Sequence, residues 1–317
     1  MKYYVGIDLG GTNIVVAVVN ENYEIIEKGS VKTNLPRKPE LVVLDIENLV
    51  NYVLKKANLS LELIQEIGIG CPGSINPKTG NIEYSCNFDY HNVPIAKMLK
   101  GHLNRPVCVD NDANAAALGE FIAGSGRGLN SMVAITIGTG IGGGIIIDNK
   151  LYHGFNYNGG ELGHIVIQKN GRPCNCGRNG CFEAYASATG LIKTTEEIMK
   201  KDSNSKMWDI YKKSYEINGR TAFEAAEAGD KSAKEVIDIF ISDLAAGIVN
   251  IINIFQPQMI CIGGGISKEG KTITDPLQKI IDKEDYARNS KNRCKVVTAK
   301  LGNDAGLIGA AMLFKFQ

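Results

Sequence analysis

Tyr3-Tyr4-Val5-Gly6-Ile7-Asp8-Leu9-Gly10-Gly11-Thr12-Asn13 runs from an apolar strand, through a carboxylate at the strand's end, into a turn of small residues, and Ile14 to Val19 follows as a second strand. Glycine lets a backbone approach an anion closely with its N–H groups aimed at the oxygens, and Thr12 adds a hydroxyl donor. A single turn of this kind is equally a tight hairpin or a bulge. The chain repeats it, however. Val133 to Ile137 leads into Gly138-Thr139-Gly140-Ile141-Gly142-Gly143-Gly144, and Met259 to Ile262 into Gly263-Gly264-Gly265-Ile266-Ser267. Three such turns in two similar halves point to a nucleotide's phosphate chain. The P-loop reading is set aside, and no Gly-x-Gly-x-x-Gly opens a helix with an acidic ribose partner, so the Rossmann reading fails as well.

At 317 residues the chain is long enough for two domains, each with a sizeable interior. Its 35 Lys plus Arg against 34 Asp plus Glu, with no long run of one sign, argue against a nucleic acid or a membrane surface as partner. Met1-Lys2 passes straight into a strand pattern with no signal-peptide h-region, and no apolar stretch approaches a membrane span, so the expected location is the cytoplasm. In a reducing compartment the eight cysteines are better used as ligands or packing than as disulfides, and Cys71, Cys86, Cys108, Cys261 and Cys294 are expected to pack.

The other three cysteines form the most specific local signal. Gly163-His164-Ile165 is followed by Cys174-Asn175-Cys176-Gly177-Arg178-Asn179-Gly180-Cys181-Phe182-Glu183, which sets three thiols and one of only four histidines at zinc-ligand spacing. Gly177 and Gly180 let the backbone curl around an ion. Four N and S ligands make a closed tetrahedral site, so the expected role is a structural Zn²⁺ that folds a loop without a core of its own. Glu161 and Glu183 bracket the cluster, where a pinned loop can hold carboxylates rigidly against hydroxyl groups.

Elsewhere the periodicity predicts a helix between Pro39 and Ala57, strands at Ile67 to Cys71 and Pro106 to Asp110, a helix from near Asp112, and a long amphipathic helix ended by Pro257. The region from about 195 to 230 reads as surface helices and Ala305 to Phe314 as a helix. The expected domains are residues 1–115, with the helix 305–317 packing back on them, and residues 116–304 carrying the zinc loop.

Strand, glycine turn and strand with a carboxylate at Asp8 resembles the duplicated actin-like ATPase (ribonuclease H-like) α/β fold of sugar kinases and heat-shock ATPases, two lobes with a cleft between them. The resemblance implies that Asp8, Gly10, Gly11, Thr12, Asn13, Gly138, Thr139, Gly140, Gly263, Gly264 and Gly265 bind ATP, with Asp8 holding Mg²⁺ through water. Where Val107 to Asp110 gives way to the helix of Ala113 to Leu118, Asp112 fits the general base that takes a sugar hydroxyl's proton as it attacks a γ-phosphate, and Asn111 would orient hydroxyls beside it.

The ordered set of Asp8 to Asn13, Cys71-Pro72-Gly73, Asp110 to Glu120, Gly138 to Gly144, Glu161 to His164, Cys174 to Glu183, Gly263 to Ser267 and Asp304-Ala305-Gly306 looks like the ROK family of bacterial sugar kinases and repressors, over nearly the whole chain. That resemblance implies ATP-dependent phosphorylation of a hexose with Asp112 as base, and zinc on His164, Cys174, Cys176 and Cys181. It also implies sugar contacts from Gly73, Asn87, Asn111, Asp112, Glu161, His164 and Glu183, and a homo-oligomer, dimer or tetramer. Tyr90 stands where many relatives place Trp. Glucose is the expected hexose, with N-acetylmannosamine and fructose as alternatives inside the family. A sugar-sensing repressor needs a helix-turn-helix domain before the first glycine turn, where only seven residues precede Asp8. An actin-like ATPase that remodels proteins leaves the zinc loop unexplained.

Overall fold

The computed structural model describes residues 1–316. Alternating apolar residues build the first sheet. Strands β1 (Tyr3–Leu9), β2 (Asn13–Asn20) and β3 (Ile25–Lys32) form an antiparallel meander. Helix α1 (Pro39–Lys56) then returns the chain so that β4 (Ile64–Cys71) runs parallel to β1. Pro39 suits the first turn of α1, where its missing N–H costs nothing, and Lys55 and Lys56 complement the dipole at the other end. The helix buries Val42, Val43, Ile46, Leu49, Val50, Val53 and Leu54 in one core with Val5, Ile7, Val16 and Val18. Strands β5 (Ser74–Asn76), β6 (Asn81–Ser85) and β7 (Tyr90–Val93) make a separate small sheet. Helix α2 (Ile95–Leu103) leads to β8 (Val107–Asn111), parallel to β4, and α3 (Asp112–Ile122) starts at its end.

A second sheet repeats this plan. It contains β9 (Met132–Ile137), β10 (Ile141–Ile147) and β11 (Lys150–Leu151). The chain continues through α4 (Glu183–Ala186), α5 (Ala188–Met199), α6 (Met207–Ser214), α7 (Thr221–Glu227) and α8 (Lys231–Phe255) to β12 (Met259–Gly264), α9 (Lys271–Glu284) and β13 (Lys295–Thr298). The first sheet is ordered β3-β2-β1-β4-β8 and the second β11-β10-β9-β12-β13, so each reads third, second, first, fourth, fifth. This is the duplication expected of the actin-like fold.

Contacts divide the chain into two compact units, one of residues 1–134, 143–160 and 299 onward, the other of residues 135–142 and 161–298. The division differs from the expected 1–115 and 116–304. A boundary at 115 would cut α3, a continuous helix whose Ala115, Ala117 and Leu118 are buried. Residues from 299 join the first unit through α10 (Ala305–Ala311). The expected helix to Phe314 stops at Ala311, a 3-10 turn covers Leu313–Lys315, and Gln317 lies outside the described residues.

Two further expectations are corrected. Cys86 is exposed, while Cys71, Cys108, Cys261 and Cys294 are buried as expected. Among the described residues α8 is long and apolar enough to cross a membrane, contrary to the reading that no stretch approaches that length. Its apolar face, including Val236, Phe240, Leu244, Ile248 and Ile252, is buried within the protein. The 195–230 region also buries Met207, Ala222, Phe223 and Ala225.

Close approach explains glycines that the strand and helix patterns leave unexplained. A Cβ at Gly68 of β4 would lie 1.8 Å from the Ala310 carbonyl oxygen, and one at Gly309 of α10 would lie 1.7 Å from that of Ala115. Backbone cannot yield as a flexible side chain does. Gly68→Ala is therefore expected to destabilise the first unit by about 3 kcal/mol, measured as a lowered unfolding midpoint in urea. A midpoint equal to the parent's would show that α10 is free to move away.

Candidate active site

In the first unit, Asp8 ends β1 and its turn folds back so that the Gly10 N–H donates to the Asn13 carbonyl at 3.0 Å. Asp8, Gly10, Gly11, Thr12 and Asn13 line a cavity of about 590 Å³. Lys28 and Asp304, joined by a 2.6 Å ion pair, line it too; Asp304 belongs to the Asp304-Ala305-Gly306 motif, while no local motif signals Lys28. Burial, and then the negative charge of Asp112, push the Asp8 carboxyl up to about 6. Asn87 is exposed beside Gly11, whose added Cβ would meet the Asn87 Cβ at 3.6 Å. The small sheet carrying this loop is packed by Phe88 against Tyr90, ring centroids 5.2 Å apart, and the Tyr90 hydroxyl donates to the Arg37 carbonyl at 3.0 Å.

The β8–α3 junction holds Asn111 and Asp112. Asn111 is the helix cap: its Oδ1 accepts from the N–H groups of Ala113 at 2.8 Å and Asn114 at 3.4 Å. Its Nδ2 donates to the Gly73 carbonyl at 3.2 Å. Gly73 has φ +125°, and a Cβ there would meet the Tyr84 oxygen at 2.3 Å, so only glycine fits the turn that presents this carbonyl. Because Asn111 caps the helix, Asp112 is not needed for that task. Its Oδ1 accepts from Ala113 N–H at 2.9 Å and the residue is exposed, which leaves carboxylate surface accessible to a ligand.

In the second unit, the Gly138 N–H donates to the Gly140 carbonyl at 3.0 Å, closing the second glycine turn. Start-of-helix groups brace it: the Ala188 N–H donates to the Gly138 carbonyl at 2.9 Å and the Thr189 hydroxyl to that of Thr139 at 2.7 Å. Gly138, Thr139 and Gly265 line a cavity of about 550 Å³ together with Asn218, Arg220, Lys268 and Glu269, four polar side chains missed from sequence. Gly140, Gly263 and Gly264 do not line it. Gly140 lies against Glu183, and a Cβ at Gly264 would meet the Ile137 oxygen at 2.1 Å, so packing by itself already disfavours a side chain at these two positions.

Gly265-Ile266-Ser267-Lys268-Glu269-Gly270-Lys271-Thr272 does have Walker spacing, a match the P-loop exclusion overlooked. The geometry still excludes a P-loop. Gly265–Glu269 coils into a 3-10 turn, the Gly270 N–H is spent on the Ser267 carbonyl at 3.2 Å, and Lys268 rather than Lys271 lines the cavity.

His164, Cys174, Cys176 and Cys181 bring one ligand atom each to within 4.8 Å of one another. Cys174 Sγ lies 3.7 Å from His164 Nδ1, and Cys176 Sγ 3.6 Å from Cys181 Sγ. The opposite ring nitrogen, Nε2, is 3.9 Å from Glu161. Burial and the Glu183 carboxylate, 3.0 Å from Cys174 Sγ, hold that thiol up at about 12. A divalent cation among the sulfurs reverses this preference, because it favours thiolates. One imidazole and three thiols fit a tetrahedral zinc site. Glu183 also accepts from the Ile141 N–H at 3.3 Å through its other oxygen, so it touches both the sulfur cluster and the glycine turn.

The chain is 38% identical over 317 residues to a glucokinase of Halalkalibacterium halodurans, covering 100% of this chain and 96% of the relative. It is 38% identical over 314 residues to a glucokinase of Thermotoga maritima, covering 98% and 96%. The crystal structure of a ROK family glucokinase from Streptomyces griseus in complex with glucose and AMPPNP superposes with a TM-score of 0.81 at 33% identity, covering 98% of each chain. With the ROK family model itself matching residues 4–317, this chain belongs to the ROK family.

Proposed function

We propose that the protein is an ATP-dependent hexose kinase that transfers the γ-phosphoryl group to the 6-hydroxyl of glucose. The observation that carries this is Asp112, an exposed carboxylate at a helix start whose cap is supplied by its neighbour, in a chain with full-length similarity to glucokinases. Asp112 takes the proton of the attacking hydroxyl, since an alkoxide-like oxygen forms only as that proton leaves. Gly73, Asn87, Asn111, Glu161, His164 and Glu183 contact the sugar. The turns at Gly10 to Asn13, Gly138 to Gly140 and Gly263 to Gly265 are assigned to the nucleotide. Magnesium, when bound, neutralises phosphate charge, and Asp8 is the residue we assign to hold it through water. His164, Cys174, Cys176 and Cys181 hold zinc, leaving the His164 Nε2 for a sugar hydroxyl. The protein works as a cytoplasmic homo-oligomer, with neither nucleic acid nor membrane as partner.

A panel of glucose, mannose, fructose and N-acetylmannosamine with ATP tests the substrate. Glucose is expected to have the highest kcat/KM, because a site built to hydrogen-bond hydroxyls rejects sugars that lack or misplace one. Faster turnover of N-acetylmannosamine would reassign the sugar. ATP use indifferent to any sugar would overturn the kinase reading.

A further inference from the structure

Behind the β8–α3 junction lies a buried hydrogen-bonded pair, His153 and Asp110, that the proposed reaction has not used. Asp110 is 1% exposed at the end of β8. Its Oδ2 is 2.7 Å from Nε2 of His153, which comes from the segment after β11 and is itself mostly buried. The other oxygen, Oδ1, accepts from the Asn111 N–H at 2.7 Å and from the Asn114 Nδ2 at 2.9 Å. Asp110 therefore grips the junction on both sides of Asp112, through the backbone just before it and the side chain two residues after it. Asn111 in turn holds the first helical turn and the Gly73 carbonyl. His153 is anchored by its own backbone, whose carbonyl accepts from the Gly159 N–H at 2.8 Å.

We infer that His153 is a positioning residue: by bonding Asp110 through Nε2 it fixes the carboxylate that sets the orientation of Asn111 and Asp112. Burial opposes charge on this imidazole, but the hydrogen bond and charge of Asp110, helped by the Leu151 carbonyl, outweigh it and raise its pKa. The hydrogen bond from the ring thus compensates a carboxylate that has almost no access to water. Chains of hydrogen bonds of this kind tolerate little displacement, and a reacting group needs to be held within a fraction of an ångström of its productive place.

Only the kinetic consequence rests on the kinase reading. The test compares His153→Gln with His153→Asn. Glutamine carries a donor at about the reach of Nε2 and can still bond Asp110, whereas asparagine reproduces the reach of Nδ1 and cannot. In His153→Asn, amide hydrogen exchange across residues 108–116 is expected to speed up, and kcat to fall by about 10- to 100-fold with KM for glucose and ATP held within about threefold. His153→Gln is expected to restore most of both. A merely space-filling histidine would make the two variants alike in exchange and in kcat, and that result would overturn the inference. If exchange separates the variants while the unaltered protein shows no glucose-dependent turnover, the positioning role stands and the proposed activity falls.

Discussion

Asp112→Asn lowers phosphoryl transfer by about 10²- to 10⁴-fold while glucose affinity stays within a modest factor. The amide keeps the shape of the carboxylate and can still accept from the Ala113 N–H, so the helix start survives; the proton acceptor does not. A second consequence separates this from local unfolding. Asp112 is one of two causes that raise Asp8, the other being burial, so removing its charge brings the Asp8 pKa down from about 6. Asp8 then stays ionised to lower pH, and the acid limb of the residual activity moves to lower pH with it. Pre-steady-state phosphoryl transfer and a pH profile of the variant measure both. Near-native turnover in Asp112→Asn would place the base elsewhere.

Cys176→Ser is expected to release the zinc proposed above and to disorder the loop from Ile165 to Phe182. The purified protein is expected to hold one zinc per chain, and the variant none, by elemental analysis. Cys176 is the informative position because the Arg178 N–H lowers its thiol pKa, making it the readiest thiolate of the three cysteines. The loop is anchored at Arg172, over the Tyr185 ring, and at buried Cys181 and Phe182, but its tip is not: Asn175, Cys176 and Arg178 are exposed. Since metal binding supplies the folding energy of such a segment, glucose KM is expected to rise by at least about 10-fold. Fully active enzyme free of zinc would contradict the assignment.

The cluster was legible in the sequence because its ligands sit within eighteen residues, His164 to Cys181, so spacing alone nearly determines proximity. The duplicated sheets were legible for a similar reason, as each glycine turn interrupts a strong apolar strand. The His153–Asp110 pair was not. Its partners are separated by 43 residues, and nothing in either neighbourhood names the other. Asn218 and Arg220, just before α7, and Lys268, on the turn after β12, reach one cavity from segments far apart in sequence, which no local pattern encodes. Nothing in the strand pattern around Gly68 points to the Ala310 carbonyl that packs against it. The boundary expected at 115 falls inside α3, because the chemical motif at the start of that helix says nothing of its buried length, whereas the contacts divide the chain after residue 134.

The way α10 closes against β1 and β4 has a consequence for synthesis. The helix starts 296 residues (305 − 9) downstream of β1 and 234 (305 − 71) downstream of β4. A ribosome adding about 5 to 20 residues per second needs roughly 15 to 60 seconds to cross that gap. Through that interval β1 and β4 can pair with each other and with α1, but the glycine-lined face that receives α10 stays open. Contacts of such long sequence separation are also slow to form once both partners exist. Every nascent chain therefore passes through a stage with one sheet face uncovered, and it is then that a chaperone gripping extended apolar segments has something to hold.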